Sequence, residues 1–99
     1  MIRMMVLYPK AEGTTFDADY WATKHMPLLT ESWPTMLRWE ADKGDDNSPY
    51  HGLAHIYFDS PDDVNAAMGA EGTAKIMADV ANYTNIQPQI VMHEVIATS

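Results

Sequence analysis

His25 is the first residue in this chain equipped for chemistry. It lies in the stretch FDADYWATKHMPLL, residues 16–29, four residues after Trp21 and two before Pro27. Helical residues four apart share a face, so Trp21 would stand over whatever His25 touches. An imidazole with an ordinary pKa of about 6.5 can take up a proton and return it near neutral pH. An indole beside it would wall a ring-shaped, largely apolar ligand. The same residues also suit a packed helix end, with His25 bonding a carbonyl that Pro27 leaves without a donor. Both readings stay open on sequence alone. Asp17, two turns earlier, is too remote to orient the imidazole along the helix.

The other three histidines offer less. His51 and His55 share one face of a strand, but four residues of strand span about 13 Å. Two ligands of one metal cannot stand so far apart when metal–nitrogen bonds are about 2 Å long. A metal would need one of them with His25, His93 or a carboxylate, and no ligand-spaced motif joins them, so no metal is expected. His55 sits mid-strand beside Leu53 and Tyr57, where a buried imidazole would need a partner. Trp39, Tyr57 and Tyr83 could line a pocket with Trp21, or fill a core or an interface. Tyr20 or Tyr57 could polarise a carbonyl or phenol oxygen. Ser32, Ser48 and Ser60 lack the surroundings of a nucleophile elbow. No glycine-rich phosphate loop exists, so no nucleotide cofactor is expected.

These side chains need a scaffold. Residues 2–8, IRMMVLY, read as a strand that is apolar on both faces and stopped by Pro9. After a polar loop with Gly13, Thr14 and Asp17 fit a capping pattern, and a helix should run from Phe16 to Leu29 or Ser32. Pro27 should kink or loosen its last turns. Residues 35–42, TMLRWEAD, alternate with period two, as an edge strand with one wet face would. That pattern sets Thr35, Leu37, Trp39 and Ala41 on one side. Residues 51–58, HGLAHIYF, form a third strand with His51, Leu53, His55 and Tyr57 sharing a face. Ser60 and Pro61 open a second helix, with Asp62 and Asp63 in its first turn. Gly69 and Gly72 should separate it from a short helix over about 73–80, and residues 89–97 read as the last strand.

Strand, helix, strand, strand, helix, strand is the order of an α+β, ferredoxin-like βαββαβ fold with a four-stranded antiparallel sheet. One domain spans residues 1–99 on this reading. The helices can cover one face only, while three strands are apolar on both. The chain is 46% hydrophobic, with three Trp, five Tyr and eight Met, which is generous for a domain this small. Both observations point to a homodimer packed sheet against sheet.

Charge and cysteine content narrow the partners. Fourteen acidic and six basic residues leave a net charge of −8. Nucleic acid and anionic membranes both require clustered Lys and Arg, so neither is an expected partner. The first apolar run is too short to span a bilayer. Without cysteine there is no disulfide framework or thiolate nucleophile, and a cytoplasmic location is expected.

The run VLYP, with Phe16, Asp17, Tyr20, Trp21, His25, Pro27 and Leu28 after it, resembles the EthD family of the dimeric α+β barrel superfamily. The family is named from a gene cluster for degrading a branched ether, ethyl tert-butyl ether. The resemblance implies a small cofactor-free homodimer acting in small-molecule catabolism or secondary metabolism. It does not choose a reaction, because the fold hosts many. The family often has two tyrosines where this chain has Tyr20 and Trp21, which removes one hydroxyl.

Two functions fit. One is binding of a small, largely apolar organic compound with proton transfer by His25, in an isomerisation, cyclisation or dehydration, with Tyr20, Trp21, Trp39, His55 and Tyr57 around the substrate. The other is a non-catalytic module that carries a hydrophobic metabolite. Haem held by one histidine is a third.

Overall fold

In the computed structural model, which describes residues 1–99, four strands form one antiparallel sheet in the order β2-β3-β1-β4. They are β1 (Ile2–Pro9), β2 (Met36–Lys43), β3 (Tyr50–Phe58) and β4 (Gln89–Glu94). Helix α1 covers residues 18–32, α2 is Pro61–Met68, and α3 is Thr73–Asp79, prolonged by a 3₁₀ turn at Val80–Asn82. This is the ferredoxin-like α+β fold, with β2 at one edge of the sheet as the alternation in residues 35–42 predicts. No helix is long and apolar enough to cross a membrane.

Period-two geometry divides the sheet cleanly. Met4 and Tyr8 of β1, with Ala54, Ile56 and Phe58 of β3, are buried under the helices. Arg3, Met5 and Leu7 of β1 pair with Tyr57, His55 and Leu53 of β3 on the opposite, uncovered face. The core is a cluster of 14 buried residues on the helix side, with Trp21, Phe58, Met4, Met26 and Ile56 its largest fully buried side chains.

Several local expectations are corrected. Asp17 alone caps α1, its carboxylate accepting the Tyr20 N–H at 3.1 Å, while Thr14 instead closes a tight turn onto Ala11. That turn contains Gly13 at φ 81°, a left-handed conformation that glycine adopts without strain. A bulge between Met36 and Arg38 sets two β2 residues against one of β3. It breaks the predicted face: Met36, Trp39 and Ala41 pack on the core, and Leu37 is expelled to solvent. The last strand stops at Glu94 rather than residue 97.

Helix α1 is not simply kinked by its proline. The α-turns Ala18–Tyr20 and Met26–Ser32 flank a π-helical turn at Trp21–His25, where the Met26 N–H donates to the Trp21 carbonyl five residues back. Pro27 has no N–H to close the ordinary bond to residue 23, so the wider turn falls next to the place where the α ladder is already broken. The inserted residue resets the phase of the helix. Trp21, His25, Met26 and Leu29 all face inward as a result.

Candidate functional site

A cavity of about 430 Å³ opens between the helices and the sheet. Met4, Val6, Tyr8, Ala54 and Ile56 make its floor, His25, Met26 and Leu29 of α1 one wall, and Ile76 and Met77 of α3 another. Ala54 brings only a methyl group to that floor. Met68, Met77 and Ile90 stand exposed at the rim. Fourteen of the 18 lining residues are hydrophobic, and no Asp, Glu, Lys or Arg is among them, so the space suits an uncharged, mostly apolar guest.

His25 is the basic side chain of that lining, and it is 5% exposed. Its Nδ1–H donates to Asp79 Oδ2 at 2.9 Å. The same carboxylate accepts the Tyr20 hydroxyl at 2.8 Å and the Asn82 side-chain amide at 2.9 Å, both on Oδ1. Tyr20 and His25 lie five residues apart, which on a regular α-helix turns them about 140° away from each other. The π turn between them is what brings both to one carboxylate. The helix-end reading of His25, bonded to a freed carbonyl, is therefore replaced by a side-chain pairing to α3.

Electrostatics set the protonation states of the pair. Burial lowers the His25 pKa, outweighing the raising effect of the bond to Asp79 and of its charge. Burial pushes Asp79 upward, but the bonds from Asn82, Tyr20 and His25 together carry it below the ordinary aspartate value. The result near pH 7 is a neutral imidazole beside an ionised carboxylate. A carboxylate has no hydrogen to give, so Nδ1 must carry the ring hydrogen and Nε2 the lone pair. Nε2 makes no hydrogen bond within the chain. Tautomer and orientation are thus fixed by Asp79, as in any base whose imidazole is held by a carboxylate.

Aromatic rings brace this corner. Tyr83 lies 4.6 Å from His25 between ring centroids, and its hydroxyl meets the Tyr8 hydroxyl at 2.7 Å. Burial, then the neighbouring Tyr8, raises the Tyr83 pKa strongly, so the pair stays protonated throughout the working pH range. Trp21 packs edge-on to Tyr8 and Phe16. A Cβ at residue 52 would stand 3.0 Å from the Trp21 ring, so the glycine there is what lets the indole lie against β3 at Gly52.

Not every predicted site residue reaches the cavity. Tyr20 acts on it only through Asp79, and Trp21 lies behind Tyr8 rather than on the lining. Trp39 is on the helix side of the sheet but over α1, where its indole N–H donates to Thr30. His55 and Tyr57 sit on the uncovered face, because odd-numbered residues of β3 point away from Ala54 and Ile56. There His55 Nε2 is 2.7 Å from Asp42, and Tyr57 donates to Glu40 beneath the Arg38 guanidinium. Nor do His51 and His93 join His25: His51 meets Thr14 at a loop edge, and His93 lies on exposed β4. No group of three or more His, Asp or Glu side chains converges to hold a metal ion. Asp79 and Tyr8 carry no signal at helical or strand spacing to His25. A lone acid in the otherwise apolar run IMADV was the one available hint of the former.

Comparison with known proteins defines the class. Residues 12–87 match the EthD domain, and the chain belongs to the EthD family. An EthD-like protein from Ralstonia eutropha JMP134 is similar over 99% of this chain and 94% of its own, with 30% identity and a TM-score of 0.89. An ethyl tert-butyl ether degradation (EthD) family protein from Bacillus halodurans C-125 matches over 97% and 99% at 17% identity, TM-score 0.74. A dimeric ferredoxin-like protein of unknown function from Thermobifida fusca YX matches over 95% and 90% at 14% identity, TM-score 0.70. No curated protein matches the chain.

Proposed function

We propose that this EthD-family protein binds a small, uncharged, largely apolar organic molecule and moves a proton on it with His25 as general base. One observation carries the reading: a neutral imidazole, pinned through Nδ1 by Asp79, has its other nitrogen unpaired at the wall of an apolar cavity. A buried base with a lowered pKa is deprotonated at neutral pH and accepts a proton without competition from water. Returning that proton to another atom of the same guest gives an isomerisation. Returning it to a leaving hydroxyl, or after ring closure, gives a dehydration or a cyclisation. None of these steps changes oxidation state, so none requires a redox cofactor.

The uncovered sheet face supports a homodimer in the cytoplasm. Met5, Leu7 and Leu53 lie together there with no cover from the chain's own helices, and a dimeric relative shares the fold. A cysteine-free chain needs no oxidising compartment.

The test is a screen of neutral ketones, lactones, phenols and ethers, read by NMR of the His25 ring and by turnover. A compound that shifts the His25 resonances and is converted by the wild type but not by His25→Ala supports the proposal. Conversion at an unchanged rate in His25→Ala overturns it. Binding that is indifferent to that substitution and to pH between about 5 and 8, without turnover, would instead assign the cavity to carriage.

A further inference from the structure

The Tyr8–Tyr83 hydroxyl pair has one hydrogen too many. Each phenol carries one O–H, and the single contact between them at 2.7 Å uses only one of the two. The chain offers neither hydroxyl an acceptor for the spare hydrogen, although both residues are buried, at 2% and 3% exposure. A buried donor without an acceptor is unusual and calls for an explanation. Of the two residues, Tyr8 lines the cavity that His25 also lines, and Tyr83 does not. Beside Tyr8 stands a second unsatisfied donor, the Trp21 indole N–H, which can only donate. Donors crowd the Tyr8 oxygen, so the arrangement that uses them best has Tyr83 donating to Tyr8 and the Tyr8 hydrogen directed to the cavity.

We propose that Tyr8 is a second catalytic residue, donating its hydrogen bond to a carbonyl oxygen of the bound molecule while His25 takes a proton from the adjacent carbon, so that the substrate class is a neutral, enolisable carbonyl compound. The inference rests on the proton-transfer reading above. In the step, His25 Nε2 removes the proton α to the carbonyl and the C–H bond breaks. Its electron pair becomes the new C=C bond, and the carbonyl π pair moves to oxygen. Tyr8 holds that oxyanion with its O–H hydrogen bond, Tyr83 orients Tyr8, and the proton then returns from Nε2 to carbon or oxygen. Atoms and electrons balance with no other reactant. The absence of any cation from the lining fits a carbonyl rather than a carboxylate.

The probe is 2-tetralone, a neutral bicyclic ketone, incubated in D2O with proton NMR reading deuterium uptake at its α-carbons. The wild type should accelerate exchange. Tyr8→Phe should lower kcat about 10²-fold, the loss expected for one oxyanion donor, and Tyr83→Phe less than about tenfold. In the wild type itself, the carbonyl stretch of the bound, isotope-labelled ketone should lie below its value in an alkane, because a donor weakens the bond. A stretch at the alkane value overturns the proposal whether or not Tyr8→Phe folds. Equal losses in the two tyrosine variants, or a Tyr8→Phe that exchanges at the wild-type rate while His25→Ala is inert, also overturn it. The second of those results leaves the His25 base standing. A wild type that exchanges nothing overturns the enolisable-carbonyl proposal, and the wider screen of lactones, phenols and ethers decides the His25 reading separately.

Discussion

Two His–Asp pairs lie on opposite faces of one sheet, and their lengths hardly differ. His25–Asp79 measures 2.9 Å and His55–Asp42 2.7 Å. Their surroundings differ greatly: the side chains are 5% and 13% exposed in the first pair, 17% and 58% in the second. Asp79 is ringed by three donors and holds a histidine of the cavity wall, whereas Asp42 is on an edge strand in water. Burial, not distance, sets the first pair apart from the second. Solvent screens the second, and such exposed pairs contribute little to stability.

Removing each histidine should separate the faces most strongly. His25→Ala should reduce proton exchange into a bound ketone by about 10²–10⁴-fold, the usual contribution of a general base. His55→Ala should leave that rate within about twofold. Comparable losses in both, measured by the same NMR exchange, would erase the distinction.

Stability should separate the carboxylates next. Asp79→Ala strands the buried His25 donor and removes a charge-assisted bond, with an expected cost of about 2–3 kcal/mol in urea unfolding. Asp42→Ala should cost under about 1 kcal/mol. If Asp42→Ala proved the more costly, the ranking by burial would be wrong.

The pH dependence follows from the sign of the His25 shift. Its folded pKa lies below the ordinary 6.5, so between the two values the unfolded chain binds more protons than the folded one. The folded protein should be unaffected by His25 above about pH 6.5 and lose stability as pH falls below it, until His25 also protonates in the folded state. Asp79, with its pKa lowered, adds stability above the ordinary 3.8 that disappears as pH falls through its folded value. In a thermal-denaturation series, His25→Gln should flatten the first decline and spare the second. A His25→Gln profile parallel to the wild type would contradict the buried neutral imidazole. The catalysed rate should likewise fall on the acid side only below 6.5.

The smallest effect on the cavity should come from the other face. Leu53→Glu places a charge among the uncovered apolar residues and should shift sedimentation from that of the proposed homodimer to that of a monomer, leaving cavity binding unchanged. An unaltered dimer would place the interface elsewhere.

Strand order, helix order and even the edge position of β2 were legible because each rests on local pattern: period-two alternation, turn residues, and the Ser60–Pro61 start. The bulge at Leu37 was not, since one inserted residue has no local mark and is selected by what Met36 and Trp39 can bury across the sheet. The same holds for the π turn. Pro27 announced a disturbance in α1, but its form depends on where Tyr20 and His25 find a partner.

From the sequence alone came His25 as the candidate base, the amphipathic elements that carry it, and an apolar surplus that one covered sheet face cannot absorb. Those features are written in residue type and short spacing. Only the tertiary structure decided that Asp79, 54 residues away, would hold the imidazole, that Tyr8 rather than Tyr57 would share its cavity, and that His55 would face outward. Long-range pairing depends on how whole elements pack, and strand parity then assigns each side chain to one face or the other.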